Sequence, residues 1–461
     1  MSPSLTLSLP LAVAWIAAAL LAPFDGRRRI AGWLALGGLA GCLAADLHLA
    51  VAVAHGRVST VVAGGWPESV GITLRADPLG VLFAVLATAL LVAALLHEVL
   101  GGVRERAFPA LVLFLAAGLN GLFLTGDAFN FYVFFELSMT AAFVLASYGQ
   151  ETRQIRDALT FTVVNLLGSV VLLSALAGLY HVTGTLGMRA IAAQVARSDE
   201  PGSVLLIATL FFVAFGLKLG LFPFHAWLPA VYSGTHPAVA AILSGVIANI
   251  GGYGLLRFGG EMLAPELRLG SPVLLWLGVA SILYGGIVAV SRRDASEVLA
   301  YSSISQAGYI LIGLGLGGPA GYAAAVLYAV LNSLNKTLLF LAAGLRGAWV
   351  GLAFVIGALS VAGVPPAAGF LGKAGLFRAC LAAGHGGLVA VVFAGGALSF
   401  LYMFQVYQRD HWMPSNGEPR RAGPRLVVLA LALGVLLLGF WPELLLRASQ
   451  RAAGVLVGGR P

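Results

Sequence analysis

The chain has 461 residues, of which 59% are hydrophobic and only 10% are charged, and its mean hydropathy is +0.94. A soluble protein of this length needs far more charge to cover its surface, so this composition excludes an ordinary soluble fold. The formal net charge is +8. The arginines are scattered over the connections, which argues against nucleic-acid binding and indicates a membrane-topology signal instead.

The apolar residues fall into about fourteen runs of about 18 to 25 residues, the length of helix that crosses about 30 Å of hydrocarbon. In chain order the runs are 4–22, 30–54, 77–99, 108–125, 128–148, 158–181, 203–222, 237–257, 271–291, 298–316, 320–344, 350–371, 384–408 and 424–441. The connections between them are too short for a soluble domain. The sequence therefore predicts an all-α polytopic membrane protein with about fourteen transmembrane helices.

The ends of the chain and the loops predict its orientation. No basic segment precedes the first apolar run, so we expect no cleaved signal peptide. Arginine is more frequent in the loops after odd-numbered runs than on the opposite side. By the positive-inside rule this bias predicts a multi-pass protein of the cell (inner) membrane with both termini on the non-cytoplasmic side.

The candidate functional residues are Glu136, Lys218, Lys336 and Lys373. Each is an ionisable residue in or beside an apolar run, where a charge is costly and marks a functional site. A purely structural interpretation pairs Glu136 with Lys218 to hold two helices together. Such pairs add little net stability, and this interpretation leaves Lys336 and Lys373 buried with no nearby acid.

The buried cations are lysines, and the chain has no other lysine. Burial of an ammonium group favours the neutral amine, so a buried lysine can release and regain a proton. Arginine stays charged. A water-filled cation channel would more naturally be lined by acids and carbonyls. The pattern therefore predicts a proton relay through Glu136, Lys218, Lys336 and Lys373.

Proline interrupts the seventh and the twelfth run, each time beside a lysine. Pro223 follows Lys218, and Pro365 and Pro366 precede Lys373. Proline breaks the helical hydrogen-bond ladder, which is tolerated at membrane depth where the freed groups meet protein or water. Paired interruptions in two halves predict inverted repeats with the ion path at their interface.

Further polar groups lie near these breaks. His225 and His236 flank the connection after the seventh run, and imidazole can pass a proton at neutral pH. A packed or interfacial histidine explains each of them equally well, so both are candidate relay residues. The tenth run opens on the polar stretch YSSISQ (301–306), which either lines a wet half-channel or satisfies neighbouring helices.

The chain shows no redox centre of its own. Cys42 and Cys380 form no CxxC pair, whereas an iron–sulfur cluster normally needs four ligands. Gly313-x-Gly315-x-x-Gly318 matches a dinucleotide fingerprint, but no strand precedes it. We therefore expect no cofactor and no metal site, and the chain would be part of an enzyme only as a translocase subunit of a redox complex.

Five segments resemble the antiporter-like membrane subunits of respiratory complex I, which Mrp-type multisubunit cation/proton antiporters and membrane-bound hydrogenases share. They are GGWPESVGITLRADPLG (64–80), LTGDAFNFYVFFE (124–136), GLKLGLFPFHAWLPAVYSGTHPAVAAILSG (216–245), VLAYSSISQAGYI (298–310) and LNKTLLFLAAG (334–344). The first two look most similar to the D-type subunit of Mrp antiporters. The resemblance implies a proton-translocating subunit with other membrane subunits as partners, moving protons and, through the complex, Na⁺ or K⁺, with no role for nucleic acid.

The family resemblance also implies a fold and roles for single residues. Glu136 is similar to the family's fifth-helix glutamate and Lys218 to its seventh-helix lysine. Lys336 is similar to the central lysine of the eleventh helix, and Lys373 to the charged residue after the break in the twelfth. The implied organisation is N-terminal helices 1–3 (1–107), a first inverted repeat of helices 4–8 (108–257), a second of helices 9–13 (271–408), and helix 14 with a tail (424–461).

Three departures from the family leave more than one function open. Asn249 stands where many relatives have a lysine, Asn332 where a histidine is frequent, and the connection between helices 11 and 12 is reduced to about 346–349. The relay is then water-bridged in its middle, or the chain is a non-pumping scaffold. The sequence is also compatible with the corresponding subunit of an NADH:quinone oxidoreductase or hydrogenase, with a stand-alone transporter, and with a membrane enzyme.

Overall fold

The computed structural model describes residues 3–65, 71–149, 151–198, 200–412 and 422–458, so part of the GGWPESV segment and the end of the predicted tail lie outside the described residues. The described helices are α1 (Pro3–Leu21), α2 (Arg29–Ala54), α3 (Pro78–Gly101), α4 (Phe108–Phe123), α5 (Ala128–Ala146), α6 (Thr152–Thr183), α7 (Met188–Val195), α8 (Pro201–Leu219), α9 (Leu228–Gly234), α10 (Pro237–Met262), α11 (Ala264–Leu269), α12 (Ser271–Ser291), α13 (Ala295–Leu316), α14 (Gly318–Ala343), α15 (Ala348–Ala362), α16 (Gly369–Ala382), α17 (Gly386–Asp410), α18 (Ala422–Phe440) and α19 (Glu443–Leu456).

The predicted class, a polytopic helical membrane protein, is confirmed. By length and composition, 11 of the described helices can cross a membrane, and α1, α4 and α15 contain shorter apolar stretches. The total of fourteen transmembrane helices and the inverted relation of the two repeats stay predictions. Within the predicted tail, the chain forms a further helix, α19, after α18.

Three helices form the centre of the molecule. In α10, α13 and α14, 94%, 94% and 89% of the most apolar stretch is buried inside the chain, against 28% in α18. Large apolar side chains on outer helices are exposed instead, such as Trp276 and Phe393, as is normal where lipid surrounds a protein. Most side chains on α14 are therefore enclosed by protein.

Both proline-interrupted runs contain a true helix end. Helix α8 ends at Leu219 and is followed by Gly220 at φ +67°, and α15 ends at Ala362 and is followed by Gly363 at φ +80°. Glycine is the usual residue in this left-handed conformation at a helix C-terminus. The last carbonyls of each helix lack helical N–H partners and are free to accept other hydrogen bonds.

A small antiparallel hairpin, β1 (Ser59–Val62) and β2 (Thr73–Ala76), precedes α3; the apolar pattern of the sequence did not predict it. Asp77, directly after β2, accepts a hydrogen bond from the Gly80 nitrogen at 2.8 Å and so caps α3. The same carboxylate pairs with Arg257 near the end of α10, with 2.8 Å between Nη1 and Oδ2. The ion pair ties the hairpin to the central helix.

Candidate functional site

Lys218 lies at the end of α8 and is only 5% exposed. Its Nζ donates a hydrogen bond to the backbone carbonyl of Asn165 on α6, at 3.3 Å. The same nitrogen lies 4.2 Å from the ring centre of Phe135 on α5, a distance at which a cation is attracted to the face of a ring. The amine is therefore held by a neutral acceptor and an aromatic ring.

Within the described residues, no ion pair includes Glu136 or Lys218. Successive residues of a helix point about 100° apart, and on α5 it is Phe135 that faces the ammonium group. Glu136 is half-buried, and its Oε1 is enclosed with no hydrogen-bond partner. The two charges interact only through space.

Helix α10 packs between the first two lysine-bearing helices, α8 and α14. A Cβ atom on Gly251 would lie 2.7 Å from the backbone nitrogen of Leu219, and one on Gly245 would clash with Thr337 Oγ1. Each of these neighbours directly follows the lysine on its helix. Glycine permits both close approaches, so α10 bridges the surroundings of the two lysines.

Asn249 lies on α10 between these two close approaches and is 6% exposed. Its Oδ1 accepts a hydrogen bond from Ser333 Oγ on α14 at 2.9 Å, and its Nδ2 donates to the Gly245 carbonyl at 2.9 Å. Beside Ser333 in the sequence, Asn332 has an enclosed Oδ1 with no hydrogen-bond partner. Amides do not titrate, but they donate to and accept from water, so they can support a water-bridged step.

Lys336 lies on the central helix α14 and is 0% exposed. Its Nζ donates to the carbonyl of Leu299 on α13 at 3.0 Å. The same carbonyl accepts a hydrogen bond from Ser303 Oγ at 3.0 Å. In the described parts of the chain no ion pair includes Lys336.

Lys373 lies on α16, just after the second break, and is 3% exposed. Its Nζ donates to the carbonyl of Ala362 at 2.9 Å, which is available because α15 ends there. A Cβ on Gly363 would lie 2.5 Å from Lys373 Cδ, so glycine also makes room for the lysine stem. The ammonium nitrogen lies 5.0 Å from the ring centre of Tyr309 on α13.

A network of neutral side chains connects α13, α14 and α17. Ser302 Oγ and Tyr402 OH are 2.9 Å apart, and Gln306 Nε2 donates to Tyr402 OH at 3.4 Å. Tyr328 OH donates to Gln306 Oε1. The rings of Tyr328 and Tyr309 pack with their centres 4.8 Å apart. Two of these residues belong to the polar stretch 301–306; the tyrosines come from outside it and were not predicted.

This network joins the surroundings of two lysines. It begins at Ser302, three residues after the carbonyl of Leu299 that holds Lys336, and it ends at Tyr309, the ring beside Lys373. Hydroxyl and amide groups both donate and accept, and connected hydrogen bonds strengthen one another at low dielectric. The second half of the chain thus has a nearly continuous polar path made of neutral groups.

The two candidate histidines lie in different surroundings. The ring centre of His225 is 5.5 Å from that of Phe222 and 4.6 Å from that of Tyr284, and its Nδ1 is enclosed with no hydrogen-bond partner. His236 Nδ1 lies 3.5 Å from Glu98 Oε2 on α3. The structure therefore places His236, but not His225, beside a carboxyl group.

Glu98 is a buried acid that was not among the predicted site residues. It is 3% exposed, and its Oε1 accepts a hydrogen bond from Tyr148 OH at 2.5 Å. The available signal was the presence of an acid inside the predicted apolar run 77–99.

A family model described as NADH:quinone oxidoreductase/Mrp antiporter, transmembrane region, matches residues 125–348. This match contains Glu136, Lys218 and Lys336 and ends before Lys373.

Known proteins match the chain over nearly its whole length. The D-type subunit of the Na⁺/H⁺ antiporter of Alkalihalophilus pseudofirmus is 30% identical over an alignment of 471 positions, which covers 96% of each chain. The N-type subunit of the NADH-quinone oxidoreductase of Desulforudis audaxviator is 33% identical and also covers 96% of each chain. A chain in the solved Mrp complex from Dietzia sp. DQ12-45-1b matches with a TM-score of 0.90 and 28% identity, over 99% of this chain and 98% of that one.

Proposed function

Since this chain belongs to the NADH:quinone oxidoreductase/Mrp antiporter family of membrane subunits, we propose that it is the D-type, proton-translocating component of a multisubunit monovalent cation/proton antiporter. The end-to-end match to a D-type antiporter component and to a chain of an Mrp complex supports this assignment. Its partners are then the other membrane subunits of that complex.

The observation that carries the proposal is the shared state of three buried amines. Lys218, Lys336 and Lys373 each donate to a single backbone carbonyl, and none belongs to an ion pair within the described residues. A buried charge is costly unless it is paired. Lysine avoids this cost by releasing its proton, which arginine cannot do.

The proton path that we propose runs through the centre of the molecule. From Lys218 the proton crosses the region of Asn249 and Ser333 by way of ordered water and reaches Lys336. It then passes along the network that contains Gln306 and reaches Lys373. The close approaches of α10 and the hydrogen bonds that link Ser302, Tyr402, Gln306 and Tyr328 support this order.

Glu136 and His236 influence this path without lying on it. We assign Glu136 the role of a carboxylate that biases the charge of Lys218 through space. His236, with its neighbour Glu98, is assigned to proton exchange at the end of α10, while His225 stays a weaker candidate.

The proposal includes the arrangement in the membrane. Residues 1–107 form N-terminal helices, 108–257 and 271–408 form two inverted repeats, and 424–461 form the last helix and tail. The similar placing of the helix ends at Leu219 and Ala362, each near a lysine, supports the repeat relation. The arginine bias places both termini on the non-cytoplasmic side of the cell (inner) membrane.

A second candidate function rests on the 33% identity to an N-type component of an NADH-quinone oxidoreductase. In that case the same relay serves a redox-driven pump, and the partners include hydrophilic redox subunits. The lysines and the polar network have the same roles in both functions, so the partners and the driving force distinguish them.

The test is ion exchange by the purified complex in sealed vesicles. After a pH gradient is formed, we expect Na⁺ or K⁺ to dissipate it with wild-type complex and not with Lys218→Ala complex of the same subunit composition. Acidification driven by NADH, with no response to added Na⁺ or K⁺, would assign the chain to the oxidoreductase. Equal activity of wild type and Lys218→Ala would contradict the relay.

A further inference from the structure

A second buried polar cluster lies outside the lysine relay, where helices α1 to α4 meet. Asp46 on α2, Thr88 on α3 and Asn120 on α4 are 0%, 0% and 1% exposed. Thr88 Oγ1 donates to Asp46 Oδ2 at 2.7 Å, and Asn120 Nδ2 donates to Thr88 Oγ1 at 3.1 Å. None of the three relay lysines lies on these helices.

The donors of this cluster are already used. Asn120 Nδ2 also faces Cys42 Sγ at 3.4 Å and the Ala116 carbonyl at 3.0 Å, and the Cys42 thiol donates to the Pro10 carbonyl at 3.3 Å. Two oxygens remain enclosed with no hydrogen-bond partner, Asp46 Oδ1 and Asn120 Oδ1. Both are acceptors, so the cluster can still take a cation or a proton.

The negative charge of Asp46 also favours a bound cation. No ion pair within the described residues includes Asp46, and an unpaired carboxylate in an apolar bundle is costly. A water molecule would satisfy the free oxygens but would leave the charge, and a divalent ion would leave an excess positive charge. A proton on Asp46 or one monovalent cation balances the carboxylate. Only the cation would also use the amide oxygen of Asn120 and the hydroxyl oxygen of Thr88 as ligands.

We propose that Asp46, Asn120 and Thr88 form a binding site for one monovalent alkali cation. Carboxylate, amide carbonyl and hydroxyl oxygens are hard ligands, which suit alkali cations and not soft metals. The site lies apart from the relay lysines, so the proposal of a cation site does not depend on the proposed proton path.

The experiment measures cation binding and stability, not transport. Thermal unfolding of the full-length chain in detergent is followed in NaCl, KCl and choline chloride at equal ionic strength. A ligand that binds only the folded state raises the melting temperature with its concentration. We expect Na⁺ or K⁺ to raise it above the value in choline for wild type, and binding of radioactive Na⁺ or K⁺ to fall by one ion per chain in Asp46→Asn.

Two further variants complete the test. Cys42→Ala is the matched control, because it changes a neighbour in the cluster but keeps all three oxygen ligands, and it should retain the response to the cation. Thr88→Val should weaken the response to the cation. This variant tests the site if Asp46→Asn does not fold. Equal melting temperatures in all three salts, or an undiminished response in Asp46→Asn or Thr88→Val, would overturn the proposal.

Discussion

The surroundings of Lys218 and Lys373 differ in charge, although both lysines are buried beside a break between helices. The first half of the chain places carboxyl groups at membrane depth, with Glu136 near Lys218 and Glu98 beside His236. Around Lys373 the described polar contacts are neutral, namely the Ala362 carbonyl and the ring of Tyr309.

This difference indicates two ways of stabilising a buried amine that gains a proton. In the first half a carboxylate can compensate the charge through space, and a small movement of its side chain changes that compensation. In the second half, compensation comes from the dipoles of carbonyls, hydroxyls, an amide and an aromatic ring. We therefore expect the first half to respond to changes of charge and the second half to loss of single hydrogen bonds.

After Lys218, the largest effect is expected from the lysines of the second half. Lys336→Ala and Lys373→Ala should each lower proton transport by about a hundredfold or more, the lower end of what positioned acid–base groups contribute. Transport is measured in vesicles with matched amounts of assembled complex.

Arg378→Ala supplies the control for this pair, because it removes an exposed cation from α16, the helix that carries Lys373. It should transport like wild type. Wild-type transport by both lysine variants, with the complex assembled, would favour the non-pumping scaffold.

Loss of a single network hydroxyl should have the next largest effect. Tyr328→Phe removes the O–H that donates to Gln306 and should slow transport by about tenfold, since the neutral path is interrupted at one point. Tyr322→Phe changes a buried tyrosine on the same helix outside the network and is the control. Equal rates for the two variants would remove the network from the path.

Glu136→Gln should change transport but leave the stability of the chain nearly unchanged. It should reduce transport, with Glu136→Asp retaining part of it, while the free energy of unfolding changes by less than about 1 kcal/mol. Breaking a buried ion pair costs about 3–5 kcal/mol, and Glu136 has no ion-pair partner among the described residues. A loss in that larger range, measured by denaturation of the full-length chain, would show that Glu136 and Lys218 are paired after all.

The smallest effect is expected at the centre. Asn249→Lys introduces the lysine that the family resemblance implies at this position, and it should transport nearly as well as wild type, because the site already connects α10 to α14 through Ser333. Asn249→Leu is the comparison, since it removes both hydrogen bonds of the amide. If the leucine variant transported as well as the lysine variant, Asn249 would have no part in the middle step.

The helical membrane fold could be predicted because long apolar runs require helices in lipid. Single ionisable residues in those runs, such as Lys336, could also be predicted as site residues. The partners of these residues could not be predicted, because contacts depend on how each helix is rotated about its axis. Phe135 instead of Glu136 faces Lys218, and Tyr328 and Tyr402 meet Gln306 from other helices. The β1–β2 hairpin was not predicted, because its strands are short and lie between two apolar runs.

The charge of Lys218 is the point on which the proposed relay depends most directly, and Lys218→Arg tests it. Arginine keeps a cation at this position but cannot release its proton. The measurement is the rate of proton transport by assembled Lys218→Arg complex in sealed vesicles, beside wild type and Lys218→Ala. We predict that the arginine variant is nearly as inactive as the alanine variant. Transport at the wild-type rate by the arginine variant would contradict a relay through a lysine that cycles between charged and neutral forms.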